Sequence, residues 1–245
     1  MELTKVRIAG ERYGGDRYSS NDVIEVRSPY DGTLVGRVPL CGAAEVERAC
    51  RHATTVLRRE GFPLHERAEV LERAAMRLRG DAERFARTIT AESSKPIAAS
   101  RVEVSRCIDT LVFAAVEGRR LGGEVVAMDA SASGRGKLGL ALRVPIGVLA
   151  AITPFNFPLN LVAHKLAPAI AAGCPVVLKP APQTPLTAIA FVELLIESGL
   201  PADFISVVTD SGREAAEPLV VHPIPKKISF TGSAAVGWSI AAKAP

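Results

Sequence analysis

Two unbroken apolar runs of strand length, Gly147-Val-Leu-Ala-Ala-Ile152 and Pro175-Val-Val-Leu178, constrain this chain more than any other feature. An alanine-rich run of helix length separates them. Parallel strands joined by a helical crossover are buried on both faces, so they read as continuous apolar stretches and not as alternation. Each run ends in polar punctuation: the first passes into Thr153-Pro-Phe-Asn-Phe-Pro158 and the second into Lys179-Pro-Ala-Pro-Gln-Thr-Pro185. Ligands of open parallel sheets sit at the carboxyl ends of strands, so Asn156 and Lys179 fall where binding or chemistry is expected.

The same alternation continues to the end of the chain. Strands are expected over Gly147 to Thr153, Pro175 to Lys179, Phe204 to Thr209 and Lys227 to Phe230. Helices are expected over Pro158 to Ala172, Thr184 to Ser198 (closed by Gly199), Arg213 to Val221 and Ser233 to Lys243. Such a succession of strand–helix units implies an α/β fold with a doubly wound parallel sheet and right-handed crossovers.

Upstream, residues 5 to 40 read as short strands and turns: Val6-Arg-Ile8, a Gly14-Gly15 turn, Val23 to Arg27, and Pro29-Tyr-Asp-Gly32 before Thr33 to Val38. From Ala43 to about Gly123 the period becomes helical. Ala68, Leu71, Ala75 and Leu78 form one apolar stripe, and Val104, Cys107, Ile108, Leu111 and Ala115 form another. Residues 129 to 146 change character again. Ala130 to Gly136 is a flexible turn region, after which Leu138, Leu140, Leu142 and Val144 alternate with smaller or polar residues. Alternation predicts a half-exposed strand in a protruding antiparallel ribbon, whose open edge invites another chain. The ribbon reads as an oligomerisation arm, the alternative being a plain surface hairpin. The implied organisation is one domain from 1–128 and 147–245, with 129–146 as the arm.

Charge and composition narrow the function classes. The chain has 245 residues and a net charge of +4, from 30 basic and 26 acidic residues that interleave along the helices. Interleaving points to solvated helix faces, so no nucleic-acid partner is expected. No apolar run reaches membrane-spanning length, and the start lacks a basic-then-apolar leader, so no membrane partner and a cytoplasmic location are expected. The four cysteines, Cys41, Cys50, Cys107 and Cys174, lack metal-ligand spacing and read as buried free thiols. His52, His65, His164 and His222 have no partner at a recognisable spacing and read as structural.

Three polar positions carry candidate chemistry. Asn156 lies between Pro154 and Pro158 on stiff backbone, where its amide can donate to a developing oxyanion or can cap the following helix. Lys179 follows an apolar strand, where a charge is costly unless it emerges at the edge of the sheet. Its ammonium can meet ribose hydroxyls or a phosphate, or serve structure alone. Phe230-Thr-Gly-Ser233 follows a strand and opens a helix, a geometry that holds a phosphate or simply caps the helix. The usual GxGxxG dinucleotide fingerprint is absent.

Taken together, Thr153 to Pro158, Pro175 to Pro185 and Phe230 to Ser233, in this order and at these separations, closely resemble the aldehyde dehydrogenase superfamily. The resemblance covers nearly the whole chain from Val23 onward. It implies a Rossmann-like cofactor domain for NAD or NADP, preceded by the helical region. By that similarity Asn156 matches the oxyanion-hole asparagine, Lys179 the lysine on the adenosine ribose, and Ser233 the serine on the pyrophosphate. Ile152, Thr153, Pro154 and Phe155 match part of the cofactor wall, and Gly212 matches a glycine beside the adenine. Ala181, Pro182, Ala216, Phe230, Thr231, Gly232 and Val236 complete the implied cofactor site. The ribbon resembles the family's oligomerisation arm and implies a homodimer or homotetramer.

Departures from the family pattern matter as much. Many NAD-preferring members carry a glutamate where this chain has Pro182, so a ribose 2′-phosphate is expected to meet no repulsion and NADP to be at least tolerated. Ala216 replaces a small glycine, and Phe155 stands where many members have tryptophan. The family's nucleophilic cysteine and its water-activating glutamate lie beyond the position of Pro245, and none of the cysteines present stands in for the nucleophile. The resemblance therefore implies the amino-terminal part of an NAD(P)-dependent enzyme that oxidises a small aldehyde to a carboxylic acid through a cysteine thiohemiacetal, with no turnover by these 245 residues alone. The alternative is a non-catalytic dinucleotide-binding or oligomerising module. The Ile152 to Lys165 run and the Arg7-Ile-Ala-Gly10 start look like branches acting on small polar or phosphonate-bearing aldehydes.

Overall fold

The structure is a computed structural model that describes residues 3–14, 22–59 and 61–245. The Gly14-Gly15 turn expected above extends outside the described residues. The lead-in forms two antiparallel pairs, β1 (Val6–Ile8) with β2 (Glu11–Tyr13) and β3 (Val23–Arg27) with β4 (Leu34–Pro39). Four helices follow: α1 (Ala43–Arg58), α2 (Leu64–Gly80), α3 (Ala82–Ser93) and α4 (Ile97–Arg119). The two apolar stripes foreseen on α2 and α4 are buried throughout. Cys50 lies inside α1 and is fully buried, because it falls on the face shared by Val46, Ala49 and Ala53.

The ribbon pairs β5 (Glu124–Val126) with β6 (Gly139–Ala141) in antiparallel register, and the segment between them makes two 3-10 turns. The expected half-exposed strand is not found. Leu138, Leu140, Leu142 and Val144 are all more than half exposed, and Ala141 and Arg143 on the opposite face are exposed as well. A two-stranded ribbon with no layer packed on either side has no face to bury.

The rest of the chain is the parallel sheet. β7 (Leu149–Ile152), α5 (Asn160–Ala172), β8 (Val176–Lys179), α6 (Pro185–Glu197), β9 (Ile205–Val207), α7 (Ala216–Val220), β10 (Lys227–Phe230) and α8 (Ala234–Lys243) alternate as expected. The strand order is β10-β7-β8-β9. From β7 the chain steps outward to β8 and β9, then crosses back to place β10 on the other side of β7. That reversal puts a topological switch point between β7 and β10. All residues of β7, β8 and β9 are buried, which is why β7 and β8 as far as Leu178 read as unbroken apolar runs, whereas β9 carries Ser206, whose hydroxyl accepts from Ala9 N–H. Among the described residues no helix is long and apolar enough to cross a membrane.

All four helices of this region begin later than the sequence suggests, α6 and α8 by a single residue. The starts of α5 and α6 are held by carboxylates from distant helices. Glu103 on α4 accepts the N–H groups of Leu159 and Asn160 at 2.9 and 3.1 Å. Glu92 on α3 accepts those of Leu186 and Thr187 at 2.8 and 3.0 Å. Pro158 consequently precedes α5 in a turn instead of opening it. In front of α7, Asp210 accepts from Ala216 at 3.0 Å and Ala215 at 3.3 Å. Residues 211–214 there form a separate turn around the Glu214 carboxylate, which accepts from the Ser211 hydroxyl and from the N–H groups of Gly212 and Arg213. Helix starts leave N–H groups without intrahelical partners, so a buried start needs acceptors from elsewhere.

Glu92 holds its cap at a cost. Burial pushes its carboxyl up to about 7 from an ordinary value of 4.5, against the pull of its two N–H donors, and Glu103 nearby adds to the rise. A folded value above the unfolded one means that the protonated form favours the fold. The contribution is complete below the unfolded value and is lost as pH climbs through about 7. Glu92→Gln mimics the protonated side chain and should remove this dependence. Denaturant midpoints should show the native chain losing about 2–3 kcal/mol relative to the glutamine variant between pH 5 and pH 8. Parallel pH profiles for the two chains would contradict the assignment.

Candidate functional site

Register sets the height of the site. Ile152 pairs with Lys179 on one side and with Phe230 on the other, so β7, β8 and β10 end level with one another. The ladder runs one step further, with Thr153 N–H donating to Lys179 O and Thr231 N–H to Ile152 O, each at 3.2 Å. The loops after these strands therefore leave the sheet side by side, at the point where strand order reverses.

Between those loops, α7 and α8 lies a cleft of about 660 Å³. Every residue of the expected cofactor set lines it: Ile152, Thr153, Pro154 and Phe155 after β7; Lys179, Ala181 and Pro182 after β8; Gly212 and Ala216 before and in α7; Phe230, Thr231, Gly232, Ser233 and Val236 from β10 into α8. Sequence reasoning missed Gln183, Arg213, Glu217, Ser239 and Lys243, which line the same cleft. Lys243 and Glu217 form an ion pair across its outer wall.

The β10 turn is tightly built. A Cβ on Gly232 would sit 2.4 Å from the tip of the Phe230 ring, so glycine is what lets the turn fold over that ring. Ser233 takes the N-cap position of α8, its Oγ accepting from Val236 N–H at 3.4 Å. Behind the turn, Lys165 on α5 donates to Thr231 Oγ1 at 2.8 Å and Ser229 Oγ at 3.3 Å. Burial pulls this ammonium down to about 8. Its place in an alanine-rich, mostly apolar helical run was the available signal for a buried polar contact.

Lys179 is 7% exposed, and its Nζ lies 2.9 Å from Asp210 Oδ1, which is fully buried and has no donor in hydrogen-bond alignment. The ammonium expected to face a ligand freely thus has an internal counter-charge. Asp210 was not foreseen, because nothing in a strand-terminal Thr-Asp-Ser-Gly run names its partner.

Asn156 stands apart from the cleft lining, exposed on the loop beyond Phe155. Its reading as a cap on the next helix is not realised: Glu103 takes the N–H groups at the start of α5, and Asn156 makes no side-chain hydrogen bond among the described residues. The loop itself is clamped. Lys95, paired with Glu103, places its ammonium 3.9 Å from the centre of the Phe157 ring. Thr184 Oγ1 donates to Phe155 O at 3.4 Å. Asn156 is therefore presented outward from a fixed backbone.

All four thiols are free and buried. Burial pushes Cys41 to about 11, Cys50 to about 12 and Cys107 well above its ordinary range, and Cys174 is buried at the foot of β8. A thiol that stays protonated and out of solvent is neither nucleophile nor ligand. Two of the histidines have carboxylate partners far away in sequence, His222 with Glu47 at 2.9 Å and His52 with Asp203 at 3.3 Å, which anchor α1.

The sequence profile described as the aldehyde dehydrogenase family matches residues 17–245. Aspartate-semialdehyde dehydrogenase 1 of Pseudomonas canavaninivorans is 42% identical over 219 residues, 89% of this chain and 46% of its own length. The 3-sulfolactaldehyde dehydrogenase of Priestia aryabhattai is 38% identical over 242 residues, 99% of this chain and 50% of its own. The structure of NADP-dependent glyceraldehyde-3-phosphate dehydrogenase from Bacillus halodurans C-125, complexed with NADP, superposes with a TM-score of 0.91 at 34% identity, covering 100% of this chain and 51% of that one. The chain spans about half the length of the curated relatives it matches.

The Glu103 clamp makes a separable prediction. Glu103→Ala leaves the N–H groups of Leu159 and Asn160 and the Lys95 ammonium without their acceptor, and should cost about 3 kcal/mol. Glu103→Gln keeps one acceptor oxygen and should cost less. Urea unfolding of the variants checks this, and equal stability of Glu103→Ala and the native chain would contradict it.

Proposed function

The chain belongs to the aldehyde dehydrogenase family, and from that premise we propose that the cleft at the ends of β7, β8 and β10 binds NAD or NADP. The observation that carries this reading is the convergence of the whole expected residue set on one cleft at the switch point of the sheet. Lys179 lies under the adenosine ribose, Gly212 and Ala216 flank the adenine, and Ser233 receives the pyrophosphate. The amino end of α8 carries partial positive charge and free N–H groups, which favour a phosphate there. Ile152 to Phe155 form the wall along the dinucleotide. Residues 1–128 and 147–245 make up this cofactor domain, with 129–146 belonging to the ribbon.

For the whole protein we propose oxidation of a small aldehyde to a carboxylic acid. A cysteine outside these 245 residues adds to the carbonyl, and Asn156 donates its amide N–H to the oxygen that becomes the thiohemiacetal oxyanion. The bound nucleotide supplies the hydride acceptor. Water then releases the acid from the thioester and returns the thiol. The outward presentation of Asn156 on a clamped loop suits this role, since a donor for an oxyanion must be fixed in place and unspent. Relatives are named for aspartate semialdehyde and 3-sulfolactaldehyde, short aldehydes bearing an acidic group. An anionic short-chain aldehyde is accordingly the proposed substrate class.

The ribbon leaves Val125, Leu138, Leu140, Leu142 and Val144 exposed, and among the described residues its outer edges pair with no further strand. Pairing with a second copy would cover them, which supports a homodimer or homotetramer. The four buried thiols favour a second reading for the 245 residues taken alone, that of a nucleotide-binding module without turnover.

Trp238, the single tryptophan, lies on α8 between cleft residues Val236 and Ser239 and reports on the site. Titration with NADH and NADPH should give saturable energy transfer from it, with the two dissociation constants within about a hundredfold because Pro182 supplies no carboxylate. Rejection of NADPH beyond that margin would contradict the reading of Pro182. Incubation of the chain with short acidic aldehydes and either oxidised nucleotide should yield no reduced nucleotide, and steady production would contradict the assignment of the nucleophile to other residues.

A further inference from the structure

The cations around the cleft are not equivalent. Lys243 is paired with Glu217 on the outer wall. Lys179, at the floor, is paired with Asp210 at 2.9 Å, with side chains 7% and 0% exposed. Arg213, whose charge acts on Glu217, lines the cleft and is exposed. Asp210 does more than neutralise. Its second oxygen accepts the N–H groups of Ala216 and Ala215 at 3.0 and 3.3 Å, so one carboxylate ties the end of β8 to the turn that carries Gly212 and the start of α7. A counter-charge buried this deeply acts at low effective dielectric, where its influence on a neighbouring charge is far greater than at the surface. It also holds the ammonium in place, because moving Lys179 toward a ligand would leave a fully buried carboxylate uncompensated.

We propose that Asp210 determines nucleotide choice, acting through Lys179. The pair presents the ribose 2′ position with neither a carboxylate that would reject a phosphate nor a free ammonium that would select one. Pro182 contributes no charge from the other side. The Lys179–Asp210 pair therefore favours neither NAD nor NADP, and the phosphate-selecting charge of Lys179 is present but masked. This inference rests on the dinucleotide reading above.

The test is a pair of variants read by Trp238 energy transfer with NADH and NADPH, with folding checked by circular dichroism. Asp210→Asn keeps an acceptor oxygen for Ala216 N–H while removing the charge, which frees the Lys179 ammonium. The ratio of NADPH to NADH affinity should rise by about tenfold. Combining it with Lys179→Met should abolish that rise. If Asp210→Asn does not fold, Asp210→Gly, which removes the carboxylate and leaves the turn its backbone freedom, should shift the ratio in the same direction. A damaged cleft would weaken both nucleotides equally. A folded Asp210 variant whose ratio stays at the native value, or a rise that persists without Lys179, overturns the proposal. Failure of the native chain to bind either nucleotide overturns instead the dinucleotide reading beneath it.

Discussion

The in-register parallel ladder that sets Phe230, Ile152 and Lys179 side by side governs everything built above it. Parallel pairing is evenly spaced, so strands of matched register that stop together release their loops at one height. Had β8 slipped by one residue against β7, Lys179 would point to the opposite face of the sheet, away from Asp210 and the cleft. Because β7 and β8 are wholly buried, such a slip would also expose or overpack the interior, and register is strongly specified as a result.

Three carboxylates turn that ladder into a site. Glu103, Glu92 and Asp210 each accept two backbone N–H groups at the start of a helix, and the helices so held, α5, α6 and α7, frame the loops that carry Asn156, Pro182 and Gly212. Each is buried, and a buried carboxylate is tolerable only with donors or a counter-charge. Glu103 has Lys95 and Asp210 has Lys179, whereas Glu92 has its two N–H donors but no counter-charge, and burial moves it toward neutrality. Helix starts tied to distant elements cannot shift independently, so the cleft walls are joined through the protein interior.

Those facts explain what could be read beforehand and what could not. β7 and β8 were legible to within about two residues at either end because burial on both faces leaves an apolar run with little polar interruption, while β9 and β10, which carry Ser206, Lys227 and Ser229, were legible from their place in the strand–helix alternation. Cleft membership was legible because motif order and separation carry it. The late starts of α5 and α7 were not, since their acceptors come from a separate helix and from an aspartate that does not sit at the usual cap position. Short β2 is polar in sequence and, among the described residues, pairs only with β1, so its letters announce nothing. Alternation in the ribbon predicted one buried face, but alternation reports a pleat, and burial needs a second layer that the ribbon lacks. Lys179 was correctly placed at the cleft, while its counter-charge lay a strand and a helix away, beyond any local pattern.

Hydrogen–deuterium exchange of the chain with and without NADP tests the central claim most directly, since it locates the ligand without presuming any residue's role. Convergence of the level strand ends on one nucleotide cleft requires protection confined to the segments around 152–155, 179–183, 212–217 and 230–236. Protection centred instead on the apolar cavity between α4 and α5, lined by Phe113 and His164, or no protection at saturating nucleotide, would contradict it.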